Sequence, residues 1–270
     1  MQVVSPQLHA NKKWHRPGSY EFAGTAQSVP VTAEELARSA LSFPLAVADN
    51  GGQPTLVALM GLRPQENLFV GARGKWIGRY VPAVLQAFPF HLAPSDGSTV
   101  LLCVDETSGL VTDLAVGEGG VPFFVESGEP SQETKKVADF LAATHRGIQQ
   151  QQQAVGVLAE CGLLAPWPLR IKDGAVEKTI AGLSRIDEAK LNGLSADELA
   201  KLRDAGALAL AYGQLLSMGN VPILSALSVA HQRLAHQKAA RMAIPEGSFL
   251  VEEEDSIKID WNDFLKDREG

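Results

Sequence analysis

The hydrophobic pattern of this chain changes its period near residue 128. Before that point, short apolar runs alternate with turn residues, a pattern typical of strands joined by tight connections. After it, apolar residues recur about every 3.6 residues, which predicts one long helix capped by Ser131 and ending near Gly162. We therefore predict an α+β protein. Its N-terminal half would hold a mostly antiparallel sheet or partly open barrel, and its C-terminal half would be helical with an inserted β-hairpin.

Turn and capping motifs place several of these elements. Two glycine-bearing turns, at 49–54 and 172–174, predict β-hairpins. Thr32 with Glu35, and Ser195 with Glu198, have the spacing of a capping box, in which each side chain bonds a free amide of the first helical turn. Apolar runs predict further strands at 67–70 and 99–104, and a buried helix at 208–218.

These signals suggest three regions. Residues 1–30 are polar and rich in turn residues, so we expect an N-terminal arm anchored by Trp14. Residues 31–247 would form a globular region of two lobes that meet near residue 128. Residues 248–270 form an acidic tail, which we expect to dock because Trp261 and Phe264 share one helical face.

The acidic balance of the chain argues against one class of partner. The net charge is −7 at pH 7, whereas binding to nucleic acid requires a basic surface. The first residues lack the basic and apolar regions of a signal peptide, and no apolar run reaches the ~20 residues of a membrane helix. We therefore expect no nucleic-acid partner, no membrane span and a cytoplasmic location by default. Surface association by non-classical export is left open.

No local motif assigns a catalytic activity to the chain. The segment 71–76 differs from a phosphate loop, because two residues rather than four separate its glycines and Trp76 follows the lysine. His, Cys and carboxylate residues lack ligand spacing, so we expect no metal and no cofactor. An enzyme with a non-local polar site remains the alternative. Its candidate residues for acid–base chemistry are Asp105, Glu106, His145 and Arg63.

Aromatic residues near prolines give the best indication of function. Such residues can build a peptide-binding groove, although they can also close a core. We therefore predict a non-enzymatic binding or accessory protein with a peptide or protein partner. The predicted contact residues are Trp76, Phe88, Phe90, Phe123, Phe124 and Trp167.

Several segments of the chain occur in the order and spacing of a known family. The most specific runs from Ala181 to Glu188 (AGLSRIDE), and others are 76–82 (WIGRYVP), 101–106 (LLCVDE) and 128–131 (GEPS). Over about residues 28 to 230, these segments resemble the SapC family of bacterial proteins.

The resemblance implies a role but no catalytic residues. It implies an association with a bacterial surface layer and serum resistance, so a surface-layer structural protein is a further alternative. It also implies links with halogenase-like flavoenzymes and TonB-dependent receptors, and hence with peptide or nutrient uptake. Assembly into a homo-oligomer is left open.

Overall fold

A five-stranded antiparallel sheet forms the centre of the structure, a computed structural model that describes residues 1–95, 100–173 and 176–242. The strands are β1 Gln2–Val3, β2 Lys12–Trp14, β3 Ser28–Pro30, β4 Leu45–Asn50, β5 Gln53–Leu59, β6 Phe90–Pro94, β7 Val100–Val104, β8 Val111–Asp113, β9 Val121–Pro122, β10 Leu164–Pro166, β11 Leu169–Asp173, β12 Val176–Ile180 and β13 Leu183–Ile186. The helices are α1 Pro6–His9, α2 Leu36–Ala40, α3 Ala83–Gln86, α4 Gln132–Glu160, α5 Glu188–Asn192, α6 Ala196–Asp204, α7 Ala207–Ser217 and α8 Val221–Met242.

The strand pairings that the structure describes are all antiparallel. The central sheet has the order β10-β13-β4-β5-β3, and two three-stranded sheets, β1-β7-β6 and β8-β2-β9, accompany it with the separate hairpin β11–β12. Gly51 and Gly52 have positive φ angles of 66° and 86°, as a two-residue hairpin turn between β4 and β5 requires. The predicted α+β class with a helical C-terminal part is confirmed, and the sheets do not close into a barrel.

The long helix α4 packs across β5 and against α7. Its N-terminus has the predicted cap, since the side chain of Ser131 accepts a hydrogen bond from the N–H of Thr134. Gly147 lets the helix approach the 32–35 turn closely, because a Cβ there would lie 2.9 Å from Cβ of the buried Thr32 and 2.4 Å from Oε2 of Glu34. A Cβ on Gly156, in the same helix, would meet nothing within 4 Å.

Two buried glutamines complete the hydrogen bonding of the central sheet where neighbouring strands separate. Gln214 on α7 accepts from the N–H of Ile186 in β13 at 2.9 Å and donates to the C=O of Leu45 in β4 at 3.1 Å. Gln151 on α4 accepts from the N–H of Leu56 in β5 at 3.0 Å. The Nε2 of Gln151 has no hydrogen-bond partner among the described residues. The amide side chains thus take the place of a missing strand neighbour.

Three local expectations differ from the structure. Residues 67–70 form a turn rather than a strand, because the side-chain oxygen of Asn67 accepts from the N–H of Phe69. The glutamine run 149–153, inside the apolar period of the long helix, predicts a solvated turn of that helix, yet Gln151 is fully buried. The helix at 208–218 is expected to be buried, yet Tyr212 and Leu216 on α7 are exposed.

The chain forms two compact units, Met1–Val229 and Ala230–Gly270. Residues 1–30, predicted as an arm, contribute β1, β2 and β3 to the sheets. The predicted boundaries at 30, 128 and 247 stay predictions, and the predicted acidic tail 248–270 lies outside the described residues. By length and composition alone, the helical stretch Ala207–Gln237 is apolar enough to cross a membrane, although Leu210, Gln214 and Ser217 within it are buried in the protein.

Candidate functional site

An aromatic cleft lies where the N-terminal segment, residues 81–90 and α4 come together. Its volume is about 580 Å³, within the roughly 300–1,000 Å³ of typical ligand pockets. We define the aromatic cleft by six of the residues that line it, Trp14, Tyr20, Phe88, Phe90, Val137 and Phe140.

The floor of the aromatic cleft is fixed, whereas its walls are accessible. Trp14 and Phe90 are buried, with ring centroids 5.0 Å apart at 90°. The indole Nε1 of Trp14 donates to Oγ1 of Thr134 at 3.2 Å, so the one polar atom of this ring is already satisfied. Phe140 is 36% exposed, and Phe88 is half-buried. At the floor, an occupant would therefore meet apolar ring surface rather than free polar groups.

Three charged side chains line the same cleft. Lys136 Nζ donates to Oε1 of Glu133 at 2.6 Å, and Arg16 Nη2 lies 3.9 Å from Oε2 of the same carboxylate. The hydrogen bond from Lys136 holds the pKa of Glu133 below its usual value. The three side chains lie on the rim and carry one net positive charge, although the whole chain carries −7.

A row of aromatic rings leads from the cleft towards the main core. Phe88 stacks on Phe22 with a centroid distance of 3.9 Å, and Tyr20 lies 5.9 Å from Phe22. Tyr20 also lies 5.4 Å from Trp76, which stacks on Phe69 at 5.8 Å. The cleft wall is therefore braced by rings rather than by flexible side chains.

A buried carboxylate fixes the segment that enters the cleft wall. Oε1 of Glu35 accepts from the N–H of Thr32 at 2.8 Å, and Oγ1 of Thr32 accepts from the N–H of Glu35 at 3.3 Å. These are the predicted reciprocal bonds, but they close the turn before α2, which begins at Leu36. Its Oε2 accepts from the hydroxyl of Tyr80 at 2.7 Å and from the N–H of Ala83 at 2.8 Å. Burial and the hydrogen bond to Glu35 raise the pKa of the Tyr80 phenol. These bonds hold residues 80–83, and with them Val81, which also lines the cleft.

The predicted binding residues occupy different depths of the molecule. Phe88 and Phe90 line the aromatic cleft. Phe123 and Phe124 are buried in the cluster behind it, where Phe123 lies 5.8 Å from Phe90. The two remaining residues, Trp76 and Trp167, are partly buried against the main core. Their assignment to binding stays a prediction.

The two acidic catalytic candidates lie beside the N-terminal segment. Lys12 Nζ donates to Oε1 of Glu106 at 2.5 Å, which lowers the pKa of that carboxyl. The Nε2 of His9 lies 3.5 Å from the same oxygen, and its ring is fully buried against Phe123. Burial lowers the pKa of His9. Asp105 instead caps its own turn by accepting from the N–H of Thr107 at 2.9 Å.

The other two catalytic candidates lie elsewhere. His145 on α4 lines a separate groove of about 700 Å³ with Pro54 and several glutamines. Arg63 Nη1 lies 4.0 Å from Oε1 of Glu66 within its own loop. The structure thus places the four candidates in three different environments. Among residues 1–95, 100–173 and 176–242, no group of three His, Cys, Asp or Glu side chains could hold a metal ion.

Sequence reasoning assigned two of the six residues that define the cleft, Phe88 and Phe90, to binding, and it assigned no rim residue to binding. Trp14 is predicted to anchor an arm, and Phe140 belongs to the 3.6-residue apolar repeat that predicts the long helix. Arg16, Glu133 and Lys136 carry no motif. Arg16 ends the basic run 12–16 (KKWHR), which can contact a partner, and the charged pair Glu133 and Lys136 lies just before Val137 at the start of the long helix.

Comparison with known proteins gives one match. A family model described as SapC matches residues 4–224. The match therefore includes every residue that defines the aromatic cleft, from Trp14 to Phe140. No curated protein and no solved structure matches the chain.

Proposed function

Because the chain belongs to the SapC family, we propose that it is a non-enzymatic binding protein whose aromatic cleft holds a peptide segment of a protein partner. The aromatic cleft itself supports this function. It combines pocket-sized volume, a rigid aromatic floor and an accessible apolar wall. Aromatic anchors of this kind dominate the energetics of protein recognition.

Apolar side chains are the part of the partner that the cleft suits best. The indole of Trp14 already has its hydrogen-bond partner, so the floor offers rings and no free donor. Burial of an apolar side chain against such a surface contributes about 1.5–3 kcal/mol. Two such anchors would give a useful affinity only if the cleft is pre-formed, and the ring-to-ring packing of Phe88 on Phe22 supports that condition.

The rim favours a carboxylate beside those anchors. Arg16 and Lys136 together outweigh Glu133, so the rim is a locally positive site on an acidic chain. Such a site attracts an acidic segment and repels a basic one. The proposed ligand is therefore an apolar peptide segment with an adjacent Asp or Glu. By family resemblance, a halogenase-like flavoenzyme or a TonB-dependent receptor system in a bacterial uptake or surface-associated pathway is the proposed source of that segment.

Peptide selection from a displayed random library tests the proposal. Selected peptides would be synthesised with a fluorophore, and their affinities measured by anisotropy. We expect Phe140→Ala to weaken binding at least about tenfold, or 1.4 kcal/mol, because Phe140 forms the accessible wall. Lys136→Glu should weaken acidic peptides most. Leu114→Ala, at an exposed residue outside the cleft lining, is the control and should leave affinity unchanged.

Two results would count against the proposal. One is a selection that enriches no peptide. The other is a set of peptides that bind the Phe140→Ala protein as tightly as the unmodified protein, which would place the binding surface elsewhere.

A further inference from the structure

A second groove, lined by residues of α4 and of the β4–β5 hairpin, lies outside the aromatic cleft. Its volume is about 700 Å³, which is also within the roughly 300–1,000 Å³ of typical ligand pockets. We call it the amide groove and define it by the five amide residues and the histidine that line it, Asn50, Gln53, His145, Gln149, Gln152 and Gln153.

The glutamine run itself holds the two parts of the amide groove together. Gln152 Nε2 donates to Oγ1 of Thr55 at 2.9 Å, and Oε1 of the buried Gln151 accepts from the N–H of Leu56 at 3.0 Å. Both bonds tie α4 to β5. The groove is therefore pre-formed, and binding does not require the helix and the hairpin to come together first.

The other polar side chains of the amide groove are available to a ligand. The amides of Asn50, Gln53, Gln149 and Gln153 and the ring of His145 make no hydrogen bond within the part of the chain that the structure describes. The four amides occur in two close pairs. Gln149 and Gln153 are about 6 Å apart along α4, and Asn50 lies opposite Gln53 in the pairing of β4 with β5.

The lining carries no charge that would select an ion. Among the described residues that line the amide groove, none is Asp, Glu, Lys or Arg, and none is Phe, Tyr or Trp. Two charged residues adjoin the lining in sequence. Asp49 accepts from the N–H of Gly52 within its own turn, and Arg146 lies outside the lining. The groove therefore suits an uncharged polar ligand better than a phosphate, a carboxylate, a cation or an aromatic ring.

Hydroxyl groups match these side chains in both directions. A primary amide has two donors and a carbonyl acceptor, and a hydroxyl is at once a donor and an acceptor. A sugar ring carries hydroxyls on adjacent carbons, so several of them meet amides that occur in close pairs. An extended peptide is a poorer match, because it presents one donor and one acceptor only about every 6.6 Å along one edge. Pro30, Pro54 and Ile148 add C–H surface for the apolar side of a sugar ring.

We propose that the amide groove binds a neutral oligosaccharide. The amide groove and the aromatic cleft have no described lining residue in common, so this site is separate from the proposed peptide site. The four free amides are exposed and become ordered on binding, which lowers the affinity, and we expect a dissociation constant of about 0.1–1 mM.

Saturation-transfer NMR of the full chain with four neutral hexasaccharides (maltohexaose, cellohexaose, mannohexaose and chitohexaose) tests the proposal. We expect at least one of them to bind. Gln149→Leu on α4 and Gln53→Leu on the hairpin should each weaken that binding about three- to tenfold, because each removes hydrogen bonds between uncharged groups. Gln150→Leu is the matched control and should leave the affinity unchanged, since Gln150 is exposed in the same glutamine run but lies outside the groove lining.

A second control separates the two sites. Phe140→Ala alters the aromatic cleft and should leave the affinity for the sugar unchanged. Circular dichroism of each variant shows whether the fold is retained. Absence of binding by all four sugars up to about 10 mM would overturn the proposal. Binding that neither Gln149→Leu nor Gln53→Leu weakens, or that Phe140→Ala weakens as much, would overturn it too. A Gly-Ser hexapeptide that binds more tightly than every sugar, and in a Gln149-dependent manner, would assign the groove to a peptide backbone instead.

Discussion

Replacement of Gln214 by leucine would remove two hydrogen bonds from the interior of the central sheet. The side chain bonds the N–H of Ile186 and the C=O of Leu45, and both of these residues are at most 1% exposed. Leucine has a similar size and no polar atoms, so the helix position stays filled. The two backbone groups would be left in a space that water does not reach.

The cost follows from the number of groups left unpaired. Each buried backbone donor or acceptor without a partner costs about 1–3 kcal/mol, so we expect Gln214→Leu to lower the free energy of unfolding by about 2–6 kcal/mol. Gln151→Leu leaves one such group, the N–H of Leu56, but also removes an amide nitrogen that is itself buried without a partner among the described residues. Gains and losses nearly balance there, and we expect a loss of only about 0–2 kcal/mol.

Urea denaturation followed by circular dichroism measures both values. Gln153→Leu is the control, since Gln153 is exposed on α4 and surface substitutions usually change stability by less than about 0.5 kcal/mol. The reasoning would be refuted if Gln214→Leu cost no more than Gln151→Leu. The same conclusion would follow if both matched the control.

Three further outcomes can be measured on single variants. Gly147→Ala should lower the free energy of unfolding by about 1–3 kcal/mol through overpacking. Gly156→Ala in the same helix should raise it by about 0.5–1 kcal/mol. A higher urea midpoint for Gly147→Ala than for Gly156→Ala would contradict the packing of α4. Burial lowers the pKa of His9, so the unfolded chain takes up the proton first as pH falls below about 6.5, and the free energy of unfolding declines. His9→Gln should therefore make the free energy of unfolding less dependent on pH between about 7 and 5. An unchanged pH dependence in this variant would contradict the burial of His9. Glu35→Gln should lower the pKa of Tyr80, because it removes the negative charge of Glu35 from beside the phenol. Absorbance titration measures this pKa, and the Tyr80→Phe variant identifies which part of the signal belongs to Tyr80. An equal pKa of Tyr80 in the Glu35→Gln variant and the unmodified protein would show that the contact is absent.

Local signals predicted the parts of the fold that short segments determine. The capping box at Ser195, the β4–β5 turn and the cap of α4 are present, because each depends on residues within a few positions of one another. Thr32 and Glu35 make the reciprocal bonds of a capping box, but in the turn before α2, which begins at Leu36. Gln151 could also have been placed, since it lies four residues after Gly147 and four before Val155 on the buried face of α4. The glutamine run concealed that spacing.

Contacts between distant residues could not be predicted in this way. Trp14 and Thr134 are 120 positions apart, and no period or motif relates them. The aromatic cleft depends on such contacts, so the sequence indicated Phe88 and Phe90 but not the wall that Phe140 provides. The family resemblance covered about residues 28 to 230 and therefore did not include Trp14, whereas the family match begins at residue 4.

The bond between Gln214 and Leu45 has a consequence for biosynthesis. The two residues are 169 positions apart, and ribosomes add roughly 5–20 residues per second. After Leu45 leaves the ribosome, its carbonyl group therefore waits roughly 10–30 s for the side chain that will satisfy it. During that time the edge of β4 is open to other strands of the nascent chain or of its neighbours. A chaperone that assists the synthesis of this protein would act most usefully at this edge, until α7 has emerged.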